Sequence, residues 1–137
     1  EYIFKKARQY SEQYAGRRSM VTIASIVCLA DLYYERNQLE EAEELLTSVH
    51  TVPLDLGISE IIQSGYRTMS RINQINGAKT EAWVLLDEME AVAFKRRWPR
   101  LEANCRAQRI QSEIWSGDLS SARNELGSPQ NSEKIVR

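Results

Sequence analysis

The stretch Leu32-Tyr-Tyr-Glu-Arg-Asn-Gln-Leu-Glu-Glu-Ala-Glu-Glu-Leu-Leu46 returns twice along the chain. It reappears as Ile72-Asn-Gln-Ile-Asn-Gly-Ala-Lys-Thr-Glu-Ala-Trp-Val-Leu-Leu86 and as Ser112-Glu-Ile-Trp-Ser-Gly-Asp-Leu-Ser-Ser-Ala-Arg-Asn-Glu-Leu126. Ala42, Ala82 and Ala122 form one column, Leu46, Leu86 and Leu126 a second, and Asn37, Gly77 and Gly117 a third, each stepping by 40 residues. Leu39 and Leu119 make a fourth column, which Lys79 breaks. A fixed period of this length marks an array of supersecondary units, none of which can bury its apolar face alone. Asn and Gly tolerate the left-handed conformation that ends a helix, so the third column reads as the turn inside each unit.

Working outward, each unit is a helix, a tight turn and a second helix. Ile23, Ile26, Val27, Ala30 and Tyr34 keep a spacing of three and four, which predicts a helix over about Ser19–Arg36. Ala42, Leu45, Leu46 and Val49 predict its partner over about Glu40–Val49. The second unit places helices near Ser59–Asn76 and Lys79–Arg96, the latter with the stripe Ala82, Leu85, Leu86, Met89 and Val92; the third places them near Pro99–Ser116 and Leu119–Leu126. The units thus run over about 19–50, 59–96 and 99–126. A partial helix over 1–15 precedes them, with Tyr2, Ala7, Tyr10 and Tyr14 as its expected packing stripe, so that 1–127 forms one domain and 128–137 a polar tail or linker. Pro53 and Gly57 punctuate the first connection, Ser59 and Asp118 suit helix N-caps, Pro99 suits a first helical turn, and Gly127 with Pro129 ends the last helix. No segment alternates with period two. The expected fold is all-α, a superhelix of about three hairpins and some seven helices.

Composition agrees with an ordinary soluble domain: 137 residues, 42% hydrophobic, 27% charged and a net charge of -1. That balance exerts no global pull on nucleic acid or acidic membranes. No apolar run approaches the roughly 18 residues of a membrane span, and no signal peptide is visible. The start, without Met and already helical, reads as an excised fragment of a longer protein. Cys28 and Cys105 sit inside apolar helical patterns and read as reduced core thiols of a cytoplasmic protein. Met20, Met69 and Met89 read as core filler.

Catalytic chemistry finds no constellation. His50, the one histidine, stands at a helix end, so neither a metal site nor a Ser/His/Asp order is built, and no cofactor is expected. There is no Gly-x-x-x-x-Gly-Lys-Ser/Thr loop for ATP and no DNA-reading helix-turn-helix. Glu40, Glu41, Glu43 and Glu44 read as a solvated helix face. The run Lys95, Arg96, Arg97 and Arg100, interrupted by Trp98 and Pro99, admits three readings: an interhelix corner with Trp98 packed and the cations solvated, an anion or partner site, or a nucleic-acid patch.

At the turns the chain resembles the tetratricopeptide (TPR) family. Counting back from Ala42, residues Ile26, Leu29, Ala30 and Tyr33 occupy the first-helix packing positions of that motif, and Leu46 the large apolar position of the second helix. Tyr66, Met69, Ser70 and Asn73 stand there in unit two, and Arg106, Arg109, Ile110 and Glu113 in unit three. The 40-residue period departs from the usual ~34. Over nearly its whole length the chain also resembles the superhelical segment of ATP-dependent, LuxR-family bacterial transcription activators of the MalT type. Those proteins carry repeats like Leu32–Leu46 and a stretch like Lys95-Arg-Arg-Trp-Pro-Arg-Leu101 before a Gly117-Asp118-Leu119 turn. The resemblance implies a non-enzymatic sensor segment that binds an inducer or a partner domain, with self-association as a consequence and no direct DNA or membrane contact. A free-standing TPR-type adaptor for a peptide or protein is the alternative. In either case the first helix of each hairpin is expected to line the concave face. The polar set Tyr33, Arg67, Arg71, Asn73, Gln74, Arg106, Arg109 and Glu113 is then the expected ligand or partner surface.

Overall fold

A computed structural model describes residues 1–16, 19–50 and 59–127, with the side chain of His50 outside that set. Pro53, Gly57, Pro129 and the tail 128–137 lie outside the described residues. The described chain forms seven helices and no strand: α1 (Tyr2–Tyr14), α2 (Met20–Glu35), α3 (Leu39–His50), α4 (Ser59–Ile75), α5 (Lys79–Arg96), α6 (Pro99–Trp115) and α7 (Leu119–Gly127). From α2 onward every boundary falls within one residue of the position read from periodicity and caps.

The turns explain that agreement. Asn37, Gly77 and Gly117 adopt φ of 58°, 77° and 79°. After each, the next N–H reaches back to a helix carbonyl: Gln38 to Tyr33, Ala78 to Asn73 and Asp118 to Glu113, at 2.9, 2.8 and 2.9 Å. This is the Schellman closure, which satisfies carbonyls that a helix end leaves without partners. A fourth copy joins α5 to α6, with Arg97 at φ 56° and the Trp98 N–H on Ala93. Asp118 then caps α7 through the Ser121 N–H at 3.1 Å, and Ser19 caps α2 through Thr22 at 3.2 Å. Ser59 instead opens α4 and donates to Glu60.

Helices α2 and α3, α4 and α5, and α6 and α7 pack as hairpins, and α2, α4 and α6 lie side by side. Helix α1 packs on α2 as α6 packs on α5. Two cores result. Val27, Ala30, Ala42, Leu46 and Ile72 join the first hairpin to the second. Ile62, Tyr66, Leu85, Leu86, Met89, Ala93, Leu101 and Cys105 join the second to α6. Met69 packs on both. The alanine column is buried throughout, at 0%, 0% and 4% exposure, as suits a side chain small enough for close helix packing.

Three sequence expectations require correction. Tyr2, Tyr10 and Tyr14 are exposed rather than packed; Phe4, Ala7 and Ser11 occupy the less exposed side of α1, leaving Tyr10 and Tyr14 to stack at 6.2 Å between ring centres. Three aromatics at near-helical spacing outweighed smaller residues that fit the contact better. Leu126 breaks the buried leucine column, with Leu119 also exposed, because no further described helix packs over α7. Cys28 is half-buried, whereas Cys105 is fully buried and its thiol is pushed up to about 12 by desolvation, with the Glu90 charge adding to it.

Candidate functional site

Helix α4 presents Gln63, Arg67, Arg71 and Gln74 at intervals of four, four and three, so all four lie along one side. That side runs between α2 and α6. Asp31 of α2 accepts hydrogen bonds from Ser64 and Thr68, and Arg67 reaches the same carboxylate at 3.7 Å while donating to Ser64 at 3.3 Å. Toward α6, Asn104 donates to Gln63 at 2.8 Å and Arg71 donates to Gln111 at 2.9 Å. The Arg71 guanidinium also lies 5.6 Å from the Trp115 ring centre, a cation–π contact. Asp31, Arg71 and Gln111 are 40 apart, so equivalent positions on the three first helices carry an acid, a base and an amide. They form a polar seam across the layer. The seam ends in a hollow of about 240 Å³ lined by Gln74, Ile75, Lys79, Ser112, Trp115 and Ser116.

The other expected site residues separate from this seam. Tyr33 is half-buried against the first core, with the Lys5 ammonium 5.8 Å from its ring centre. Arg109 turns toward α5, lying 5.3 Å from the Trp83 ring centre and donating to Asp87 and, at 2.9 Å, to Glu90. Burial disfavours its charge, but the hydrogen bond to Asp87 and the Glu90 carboxylate outweigh that, and its pKa lies above the ordinary arginine value. Arg106 donates to the Glu125 carbonyl, with the Glu125 carboxylate 3.9 Å away. These two arginines border a polar cavity of about 360 Å³ with Glu90, Pro99, Glu102, Ala103 and Glu125. Glu113 is buried, and its Oε2 has no hydrogen-bond partner among the described residues. Desolvation raises its pKa, the charges of Glu125 and Asp118 add to the rise, and Lys79 and Arg109 oppose it.

Asn73 lies on yet another side of α4. It lines a groove of about 430 Å³ between α3 and α5, with Thr47, Met69, Thr80, Glu81, Val84, Leu85 and Glu88. The eight expected residues therefore divide among several places: Arg67, Arg71 and Gln74 share the seam, Arg106 and Arg109 the polar cavity, and Asn73 the groove. Tyr33 and Glu113 belong to packing. Among the described residues Arg67, Arg71 and Arg109 each bury Nε without a hydrogen-bond partner; their terminal nitrogens hold all three, and stacking on Trp115 and Trp83 adds to the hold on Arg71 and Arg109.

No family model matches the chain, and no curated protein or solved structure matches it.

Asp31, Gln63, Asn104, Gln111 and Trp115 escaped the sequence reading. The first and fourth were visible in principle, since the 40-residue register aligns them with Arg71. Gln63 and Asn104 are offset by one residue from that register, and no periodic signal links them. In the basic run, Trp98 packs on the second core under Arg96, at 5.9 Å, while Lys95, Arg97 and Arg100 are exposed, as the corner reading expects. Among the described residues no group of three His, Cys, Asp or Glu side chains could hold a metal ion, and no helix is long and apolar enough to cross a membrane.

Proposed function

We propose that this chain is a TPR-like superhelical binding module, the cytoplasmic sensor and interaction segment of a larger LuxR-family bacterial transcription regulator. In this reading it binds an inducer or a partner domain and couples that event to transcription activation. The observation that carries the binding role is the seam on α2, α4 and α6. Its side chains are fixed by one another before any ligand arrives, so binding there costs little side-chain ordering. It ends in a hollow lined by the exposed indole of Trp115 from α6 and the amide of Gln74 from α4, an apolar body beside polar orienting groups. The link to transcription rests on the resemblance of the Leu32–Leu46 repeat and the Lys95–Leu101 stretch to the MalT-type activators. A free-standing adaptor is the second reading, favoured by the α3–α5 groove, which faces away from the seam.

Trp115→Ala and Gln74→Ala in the full-length parent protein test the proposal. Both side chains border the hollow rather than the cores, so circular dichroism should be unchanged while the inducer- or partner-dependent response falls. An unchanged response in both variants would remove the seam from the function. A parent protein without an NTPase module and a helix-turn-helix would leave the adaptor.

A further inference from the structure

The groove between α3 and α5 is lined by apolar side chains and by acidic side chains of α5. Met69 of α4 and Leu85 of α5 lie at its base, with Val84 half-exposed beside them. Glu81 and Glu88 stand on the α5 wall, one turn to either side of Val84 and Leu85, and Glu88 also accepts from the Tyr66 hydroxyl at 3.5 Å. The α3 wall is reached through Thr47. Glu43 and Glu44 precede Thr47 by one helical turn and Glu40 by two, which puts all three on its side of α3. Among the described residues no lysine or arginine lines the groove. Glu40, Glu43 and Glu44 thus stand on the same side of α3 as Thr47, while Glu81 and Glu88 are the acids that line the groove itself.

The Glu81 and Glu88 carboxylates gain by receiving positive charge beside them, and their field is stronger in a cleft than on a flat surface. The floor offers burial to one or two large apolar side chains, and the volume of about 430 Å³ lies within the usual range of ligand clefts, about 300–1,000 Å³. Asn73 at the floor can donate and accept, as an extended or helical backbone requires.

We propose that this groove binds a basic segment of a partner protein, with one large apolar side chain of the segment on Met69, Val84 and Leu85 and its lysines or arginines against Glu81 and Glu88, the α3 glutamates adding to the field from the neighbouring helix. The inference deepens the reading of the chain as a binding module. It places a protein-docking site on the side away from the seam, so the two sites stand or fall separately.

The test uses a fluorescein-labelled probe peptide, Lys-Arg-Lys-Leu-Arg-Lys-Arg, read by fluorescence anisotropy against the whole chain. A second peptide replaces the central Leu by Ser. Binding should weaken on the order of tenfold when the apolar anchor is lost, about 1.4 kcal/mol, and should fall as salt rises. Glu81→Lys and Val84→Gln alter exposed groove positions, so they should retain the helical spectrum and each weaken binding about tenfold. Glu35→Lys, an exposed charge reversal at the end of α2, is the control and should change little. Equal binding of the Leu and Ser peptides, or equal loss in Glu35→Lys and Glu81→Lys, would reduce the effect to general charge attraction and overturn the proposal. The chain itself carries an apolar-basic stretch, exposed Phe94 followed by Lys95, Arg96 and Arg97. A dimer by light scattering that is lost in both Phe94→Ala and Glu81→Lys would assign the groove to a second copy instead, and would equally overturn it. If groove variants have no effect on the probe while Trp115→Ala abolishes the parent protein's response, this inference fails and the seam reading stands.

Discussion

Arg109 on α6 lies over the indole of Trp83 on α5, and its guanidinium is shared between Asp87 and Glu90 of that same helix. One side chain thus ties α6 to two successive turns of α5. Asp87 and Glu90 are more than half exposed, so the ion pairs contribute little and the stacked plane does most of the holding. Arg109→Ala should cost about 1–2 kcal/mol in urea unfolding. Arg109→Lys keeps the charge but not the flat guanidinium, and should recover less than half of that loss. Full recovery by lysine would show that charge alone holds the contact.

The left-handed turn positions Gly77 and Arg97 should respond in opposite ways to substitution. Gly77→Ala places a Cβ at φ 77°, where an L-residue is strained, and should destabilise by about 1 kcal/mol even though no atom of the described residues lies within 4 Å of the added one. Arg97 already bears that strain at φ 56°. Arg97→Gly should therefore stabilise, by about 0.5 kcal/mol, with its exposed side chain making no difference to the core. A loss of stability in Arg97→Gly would mean that the side chain itself holds the corner.

Two small residues in the packing layer should behave in opposite ways. Ala82 is fully buried and its carbonyl accepts from Ser70 at 3.2 Å, so Ala82→Leu should cost about 1–3 kcal/mol by overpacking. At Gly65 an added Cβ would meet Val27 at 3.6 Å and Leu46 at 3.8 Å, ordinary contact distances. Gly65→Ala should then stabilise by about 0.5–1 kcal/mol through helix propensity and a stiffer unfolded chain. Equal losses at both positions would refute the contrast.

Glu113 should make stability pH-dependent. Its folded pKa is raised, so the folded state holds the proton more tightly than the unfolded chain does. Its stabilising contribution is fully present below the ordinary glutamate pKa of about 4.3 and is lost as pH rises through the raised folded value. Glu113→Gln mimics the protonated form. Its urea midpoint should exceed the parent's at pH 7 and match it at pH 3. A gain of the same size at both pH values would assign the effect to packing.

Legibility in the sequence followed the kind of physics involved. Turn chemistry is local, so Asn37, Gly77 and Gly117 declared the hairpins and the boundaries followed. The alanine column was legible because a close crossing tolerates one size of side chain. The site was legible only in part. Arg67, Arg71 and Gln74 were found because spacings of four and three put them on one side of α4. Arg106 and Arg109 obey the same spacing on α6, yet turn to a different neighbour, and spacing does not say which neighbour a face meets. The acidic run at Glu40–Glu44 reads as one helix surface in sequence and structure alike, whereas Glu81 and Glu88 of α5 become groove-lining acids only once Met69, Val84 and Leu85 are brought beside them.

Met69 is the one methionine that touches both cores. Elsewhere the two clusters share no member, and α7 contributes a single buried residue, Ala122. A chain built this way comes apart in sections, much as a zip opens from its end. Amide hydrogen exchange should rank the helices accordingly: α7 exchanges first through openings of low free energy, while α4 and α5, gripped from two sides, exchange last. Uniform protection from α2 through α7 would show instead that Met69 and the seam fuse the two cores into one cooperative unit.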